Sequence, residues 1–126
     1  MCNHLRKVLK VHVIAMEYPG YGIYKSSPSA TRVQNDALWV FDYVVKAMGL
    51  KESDILIFGR SIGSGPATFV ASSRNPGALL LMSGFTSIKA VVKHLFGNFL
   101  SQIVTERFNN LELITKVDCP TIFIHG

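Results

Sequence analysis

Four short segments of the chain are almost continuously apolar, and each is bounded by polar or turn-forming residues. They are residues 11–16, 54–58, 78–82 and 121–124. Their apolar residues do not alternate with polar ones, as they would in a strand with one solvent-exposed face. These segments therefore predict strands that are buried on both faces of a parallel sheet.

A helix is predicted between the first two of these strands. Apolar residues from Val33 to Met48 recur at the spacing of one helical face. Thr31 and Gln34, three residues apart, predict a capping box at the start of this helix. Gly49 is the residue type that commonly ends a helix, and we expect it to do so here.

Two further helices are predicted downstream, over residues 88–103 with Thr86 as the N-cap and over residues 110–116. Between the second and third strands, residues 62–73 are rich in small side chains and lead into an Asn-Pro-Gly turn. Strands thus alternate with helices along the chain. That order predicts an α/β fold, a parallel sheet with flanking helices and right-handed crossovers, in a single domain over residues 1–126.

Composition narrows the functional classes. Of the 126 residues, 48% are hydrophobic and 17% are charged, which excludes a disordered chain. No apolar run approaches the roughly 18 residues that a membrane-spanning helix needs. The net charge is +5, but Arg6, Lys7 and Lys10 form the only basic cluster. Because a nucleic-acid site needs a basic stripe on one face, we expect no nucleic-acid partner.

The two cysteines, Cys2 and Cys119, are far apart in the sequence and neither belongs to a C-x-x-C pair. A disulfide scaffold of this size would use several cysteine pairs, and a zinc site would need more ligands. We therefore expect a reducing compartment, the cytoplasm.

The segment with the clearest chemical meaning is a G-x-S-x-G motif formed by Gly59, Ser61 and Gly63. It follows a predicted strand directly and leads into a helical segment, which is the context of a nucleophile elbow. Glycines on either side of the serine remove Cβ atoms that would collide with the neighbouring strand and helix. We therefore predict Ser61 as a nucleophile, with the backbone N–H of Ile62 directed at the developing oxyanion.

Two other interpretations of the motif remain open. The first is a tight glycine-rich turn without catalysis. The second is a phosphate-binding loop, but Gly63-x-Gly65 is followed by Pro66, Ala67 and Thr68, so the last glycine of G-x-G-x-x-G is missing. The chain also contains no G-K-[ST] sequence.

Five stretches together resemble the α/β hydrolases, and specifically the subgroup around alpha/beta-hydrolase domain-containing protein 17. Residues 17–22 are similar to the family's D-Y-[PR]-G-Y-G segment, and residues 59–66 to the subgroup's elbow. Residues 83–88, S-G-F-T-S-I in this chain, are similar to the subgroup's S-P-F-T-S-I. The other two stretches are residues 107–110, similar to R-F-N-N, and residues 119–126, similar to C-P-T-x-x-I-H-G. Their order along the chain is that of the family.

The resemblance implies a serine hydrolase that cleaves acyl esters or thioesters, including protein S-palmitoyl thioesters, through an acyl-enzyme on Ser61. The implied substrate is an acylated protein or a small acyl ester, and neither a metal nor an organic cofactor is implied. The subgroup also implies peripheral membrane association, although Cys2 is the only cysteine near the start that could carry a fatty-acyl anchor.

The sequence also departs from the family pattern. The acid and the histidine of the triad would follow His125 and Gly126 in chain order. Upstream of Leu5 nothing resembles the H-G-[NG] segment, and the strand that precedes that segment in the family is missing as well. We therefore expect an internal piece of a longer hydrolase, truncated at both ends. The alternative is a catalytically inactive remnant or a binding module.

Several other residues are weaker candidates. His125 matches a strand-end histidine of the family and is not predicted as the general base, and Asp118 precedes its strand, at the wrong end of the sheet. Helix residue His94 is expected at the surface. Three tyrosines could line an acyl pocket or pack in the interior: Tyr18, Tyr21 and Tyr24. Arg60 could contact an acidic group of the substrate or face solvent. The apolar helix at residues 96–100 could form a lid or pack on the sheet.

Overall fold

The computed structural model of the chain describes residues 2–84 and 108–125. The predicted helix at residues 88–103 lies outside these ranges. The same holds for its N-cap Thr86, for His94 and for the proposed lid residues 96–100. These predictions are not tested.

Three strands form one parallel sheet: β1 (Leu56–Arg60), β2 (Ala78–Met82) and β3 (Thr121–Ile124). β2 lies in the centre and pairs with β1 on one side and with β3 on the other. The predicted α/β class with a parallel sheet and flanking helices is confirmed. The predicted burial of each strand on both faces is wrong for β1 and β3, where Leu56, Ile122 and Phe123 are exposed. β1 begins two residues later than predicted, because Glu52–Asp54 form a 3₁₀ turn and the pairing with β2 starts at Leu56.

Four helices are described: α1 (Cys2–Leu9), α2 (Ala30–Lys46), α3 (Ser64–Ala71) and α4 (Asn110–Leu113). A 3₁₀ turn at Ile114–Lys116 continues α4, which confirms the predicted helix over residues 110–116. Helix α1 was not predicted. It buries no residue.

The start of α2 differs from the prediction. The N-cap is Ser29, whose hydroxyl accepts a hydrogen bond from the Arg32 N–H at 3.2 Å. Thr31 and Gln34 therefore lie inside the helix, and the predicted capping box is wrong. A capping residue must have extended backbone angles, and Ser29 has them with φ −144° and ψ 151°. At the other end Gly49 has φ +73°, in line with its predicted role in stopping the helix.

The predicted first strand, residues 11–16, is also wrong: none of these residues is in a strand, and Val11 and Ile14 are exposed. A strand exists only where a second strand accepts and donates its backbone hydrogen bonds. The far edge of β1 pairs with no strand among the described residues. The apolar composition of residues 11–16 is that of a buried strand. Among the described residues, however, no strand supplies the backbone hydrogen bonds that these residues would need.

The core lies between α3 and one face of the sheet. Ala67 and Ala71 of α3 contact Leu79 and Leu81 of β2, and all four residues are buried. Helix α2 packs against α3 through its apolar face, on which Val33, Phe41 and Val44 are buried as the periodicity predicts. Helix α3 is thus held between the sheet and α2, which fixes the position of its first turn.

Candidate functional site

The strand β1 ends at Arg60, a 3₁₀ turn follows over Ser61–Gly63, and α3 begins at Ser64. This is the strand–turn–helix arrangement that the G-x-S-x-G motif predicts. Ser61 has φ +50° and is exposed. A left-handed conformation at a residue other than glycine costs about 1 to 3 kcal/mol and is concentrated at functional sites. The serine of the motif is therefore both strained and open to solvent.

The glycines of the motif differ in how much they matter sterically. A Cβ on Gly59 would lie 2.6 Å from the Ala67 Cβ and 2.7 Å from the Gly63 carbonyl oxygen, so no side chain fits there. A Cβ on Gly63 would have only the Tyr18 hydroxyl nearby, at 3.4 Å. The predicted collision is therefore found at Gly59, whereas the described residues provide none at Gly63.

A third glycine, Gly65, is as restricted as Gly59. A Cβ at Gly65 would lie 2.4 Å from the Phe108 ring. Phe108 is buried and has φ +53°. The sequence signal for this contact is the R-F-N-N stretch, whose family resemblance by itself implies no role for Phe108.

Next to Gly65, Ser64 makes a buried polar contact. The Asn110 Nδ2 donates to the Ser64 Oγ at 3.2 Å, and both residues are buried. The Ser64 N–H in turn bonds to the carbonyl oxygens of Ser61 and Ile62. Helix α4 is thereby connected to the turn that carries Ser61. This role of Asn110 could not be predicted from the sequence, because Ser64 is 46 residues away in the chain.

The backbone N–H of Ile62 lies in the 3₁₀ turn immediately before α3, and the Ile62 side chain is exposed. Amide groups at the start of a helix lack an intrahelical acceptor and carry the positive end of the helix dipole. The position suits a donor to an oxyanion next to Ser61. This role of Ile62 stays a prediction.

The register of the sheet aligns three residues at its carboxyl edge. Arg60, Met82 and Ile124 are paired across the strands, so Ser61, Ser83 and His125 follow in one row. The Ser83 N–H donates to the Ile124 carbonyl at 2.7 Å, and Ser83 has φ +48°. Since β2 separates β1 from β3, the backbones of Ser61 and His125 are two strand spacings apart, roughly 10 Å.

The three candidate pocket tyrosines have different surroundings. The Tyr18 hydroxyl approaches Gly63 in the elbow, and burial raises the pKa of this half-buried phenol above its ordinary value. Its hydroxyl therefore stays protonated and can donate a hydrogen bond. The Tyr24 hydroxyl instead lies 3.1 Å from the Asp36 carboxylate on α2, and Tyr21 is exposed. Of the three, Tyr18 is the one whose hydroxyl lies beside the elbow, 3.4 Å from the position that a Cβ on Gly63 would take.

The remaining candidates lie as follows. Arg60 is exposed directly before Ser61, and Asp118 is exposed before β3, at the amino edge of the sheet as expected. Cys2 and Cys119 are free thiols. Within residues 2–84 and 108–125, no group of three His, Cys, Asp or Glu side chains could hold a metal ion. In the same ranges, no helix has the length and apolar character needed to cross a bilayer.

Comparison with known proteins identifies relatives with the same fold. The chain is 30% identical over 118 residues to the alpha/beta hydrolase domain-containing protein aho-3 of Caenorhabditis elegans, a match that covers 94% of this chain and 35% of that protein. It is also 30% identical over 137 residues to the lysophosphatidylserine lipase ABHD12 of Danio rerio, again covering 94% of this chain and 35% of the relative. No protein-family model matches.

A solved structure adds independent support for the fold. The crystal structure of an alpha-beta hydrolase from Vibrio vulnificus superposes with a TM-score of 0.75 at 22% identity, covering 85% of this chain and 43% of the other. The chain therefore has the α/β-hydrolase fold, as part of a domain, and its relatives support the α/β-hydrolase superfamily. It spans about one third of the length of the two relatives, 35% in each case. These relatives do not establish the subgroup around domain-containing protein 17, which stays a prediction.

Proposed function

We propose that this chain carries the nucleophile of a serine hydrolase and that the Ser61 hydroxyl attacks an acyl carbonyl. The observation that carries the proposal is the conformation of Ser61: an exposed serine with φ +50° at the end of a parallel strand and directly before a helix. Ser83 is also exposed with a positive φ, but only Ser61 of these two serines lies in a G-x-S-x-G sequence. The G-x-S-x-G sequence and the hydrolase relatives support the same assignment.

The reaction proposed is a two-step acyl transfer. The Ser61 oxygen forms a bond to the acyl carbon while its proton passes to a histidine base, which the chain order of the triad places after residue 125. The Ile62 N–H donates to the oxyanion of the tetrahedral intermediate. The leaving group departs with the proton, and water then releases the acid from the acyl-enzyme and restores Ser61.

The substrate class is an acyl ester or an acyl thioester. A relative is named as a lysophosphatidylserine lipase, which supports an ester of a lipid. The resemblance to the subgroup around domain-containing protein 17 supports the thioester of a palmitoylated cysteine instead. Both substrates present the same carbonyl to Ser61, so the first step does not distinguish them. Release of fatty acid from a lysophospholipid and from an S-palmitoyl peptide, measured side by side, separates the two.

The nucleophile is tested with a fluorophosphonate probe on the full-length protein. We expect covalent labelling of the wild type, located at Ser61 by peptide mass spectrometry, and its loss in Ser61→Ala. Ser83→Ala is the matched control, because Ser83 is also an exposed serine with positive φ at the end of a parallel strand. Labelling should persist in Ser83→Ala. A folded wild type that does not react would overturn the proposal in favour of an inactive protein or a binding module.

A further inference from the structure

We infer that Asn110 is a positioning residue that holds the Ser61 turn in its reactive geometry, an inference that rests on the proposed function. Asn110 begins α4, and its side-chain amide donates to the Ser64 hydroxyl at 3.2 Å. Ser64 is the residue at which the 3₁₀ turn of Ser61 ends and α3 begins. Asn110 does not touch the substrate in this proposal, and it acts through Ser64.

Ser64 is the point where the hydrogen bonds of the elbow meet. Its N–H donates to the carbonyl oxygens of Ser61 and Ile62. Its own carbonyl oxygen accepts from the Thr68 hydroxyl at 2.8 Å, and its Oγ accepts from Asn110. Ser64 is 1% exposed and Thr68 is fully buried, so water cannot replace these bonds.

Phe108 adds a steric contact next to this hydrogen bond. The nearest atoms of the Phe108 ring lie 2.4 Å from the position that a Cβ on Gly65 would take. The ring therefore packs directly against the backbone of the first turn of α3. The backbone of Phe108 has φ +53°. Two residues of one short stretch, Phe108 and Asn110, therefore contact two consecutive residues of the elbow helix.

This contact matters because Ser61 is strained. A left-handed serine persists only where its surroundings over-determine the backbone. On one side β1 holds the turn through the sheet ladder, and on the other side the beginning of α3 must be fixed. Catalytic groups need to stay within about 0.5 Å of their productive position, and small displacements reduce the rate strongly. Helix α4 supplies the constraint on the α3 side.

The test compares acylation rates in the full-length protein, at a temperature and denaturant concentration where every variant is folded. We expect Asn110→Ala to slow fluorophosphonate labelling of Ser61 about tenfold. With an ester substrate, kcat should fall while KM changes little, because Asn110 does not contact the substrate. Asn109→Ala is the matched control: Asn109 is the exposed neighbour, and its side chain bonds to Glu112 instead. This variant should react at the wild-type rate.

A double-mutant cycle identifies the path through Ser64. If Asn110 acts through the Ser64 hydroxyl, Ser64→Ala should slow labelling to a similar extent, and the double variant should be no slower than either single variant. Additive losses would overturn the inference, as would a fully folded Asn110→Ala that reacts at the wild-type rate. Failure of the proposed function would look different, because the wild type itself would then not label at Ser61.

Discussion

The Arg74 guanidinium donates two hydrogen bonds to the Asp42 carboxylate, from Nε to Oδ1 at 2.8 Å and from Nη2 to Oδ2 at 3.0 Å. Asp42 lies on α2, and Arg74 follows the end of α3. Such a two-pronged pair constrains geometry as well as charge. The pair links α2 to the C-terminal end of α3, the end that lies away from Ser61.

This pair predicts how stability depends on pH. The hydrogen bonds from Arg74, assisted by Lys46, lower the pKa of Asp42 from 3.8 to about 2. Because the folded protein binds this proton less readily than the unfolded one, the contribution of Asp42 is present above pH 3.8 and is lost as the pH falls toward 2. The difference in the free energy of unfolding between wild type and Asp42→Asn should shrink over that interval.

Urea unfolding at a series of pH values checks this prediction. Lys46→Gln is the control, because it removes the more exposed partner, whose Nζ lies 3.2 Å from Asp42, and leaves both bonds from Arg74. It should keep most of the pH dependence. A difference between wild type and Asp42→Asn that stays constant down to pH 2 would contradict the assignment.

The start of α2 gives a second prediction. Ser29→Ala should destabilise the protein by about 1 kcal/mol, because the Arg32 N–H loses its acceptor. Thr31→Ala is the matched control, since Thr31 lies within the helix and alanine has the higher helix propensity. It should be neutral or slightly stabilising. Chemical denaturation distinguishes the two caps, and a larger loss in Thr31→Ala would restore the capping box.

The two outer glycines of the motif give a third prediction. Gly59→Ala should cost about 3 kcal/mol, because the added Cβ meets the backbone of Gly63 and the Ala67 side chain. Gly63→Ala should cost much less, since Gly63 has φ −66° and its one close neighbour is the end of the Tyr18 side chain. Denaturant unfolding of both variants measures the difference. Equal losses would show that Gly63 is confined by something other than the described neighbours.

The core gives a fourth prediction. Leu79 of β2 is fully buried against α3. Leu79→Ala should therefore lower the free energy of unfolding by about 3 kcal/mol, through lost contacts and the cavity that remains. Leu56 is a leucine of the neighbouring strand that is 60% exposed, and Leu56→Ala should cost well under 1 kcal/mol. Thermal or chemical unfolding of the pair tests whether the core lies on the α3 face of the sheet.

Several features of the fold could be predicted because they are local. Strand β2 has the predicted bounds, and the buried face of α2 contains the predicted Val33, Phe41 and Val44. For these two elements the apolar pattern within a short window was enough, because the strands that pair with β2 are also present in the fold. The position of Ser61 at a strand-to-helix turn could be predicted for the same reason, because the glycines, the preceding strand and the following helix are adjacent in sequence.

The errors arise where a non-local partner decides. Residues 11–16 have the composition of a strand, yet they form none, because no described strand pairs with them. Ser29 rather than Thr31 caps α2, since the backbone angles and not the residue type decide between these two closely spaced hydroxyl groups. In both cases the residue types are compatible with the predicted strand or cap, but contacts with other parts of the chain favour a different structure.

Residue types within a short window are enough to predict the α/β class, the parallel sheet and the serine at its strand-to-helix turn. The folded chain is needed to find that Ser61 has φ +50°, that the Phe108 ring occupies the space beside Gly65, and that Asn110 reaches Ser64 across 46 residues. The physical reason is that steric exclusion and buried hydrogen bonds depend on which segments meet in space. A motif can thus place a serine at a strand-to-helix turn, but only packing shows what holds it in position.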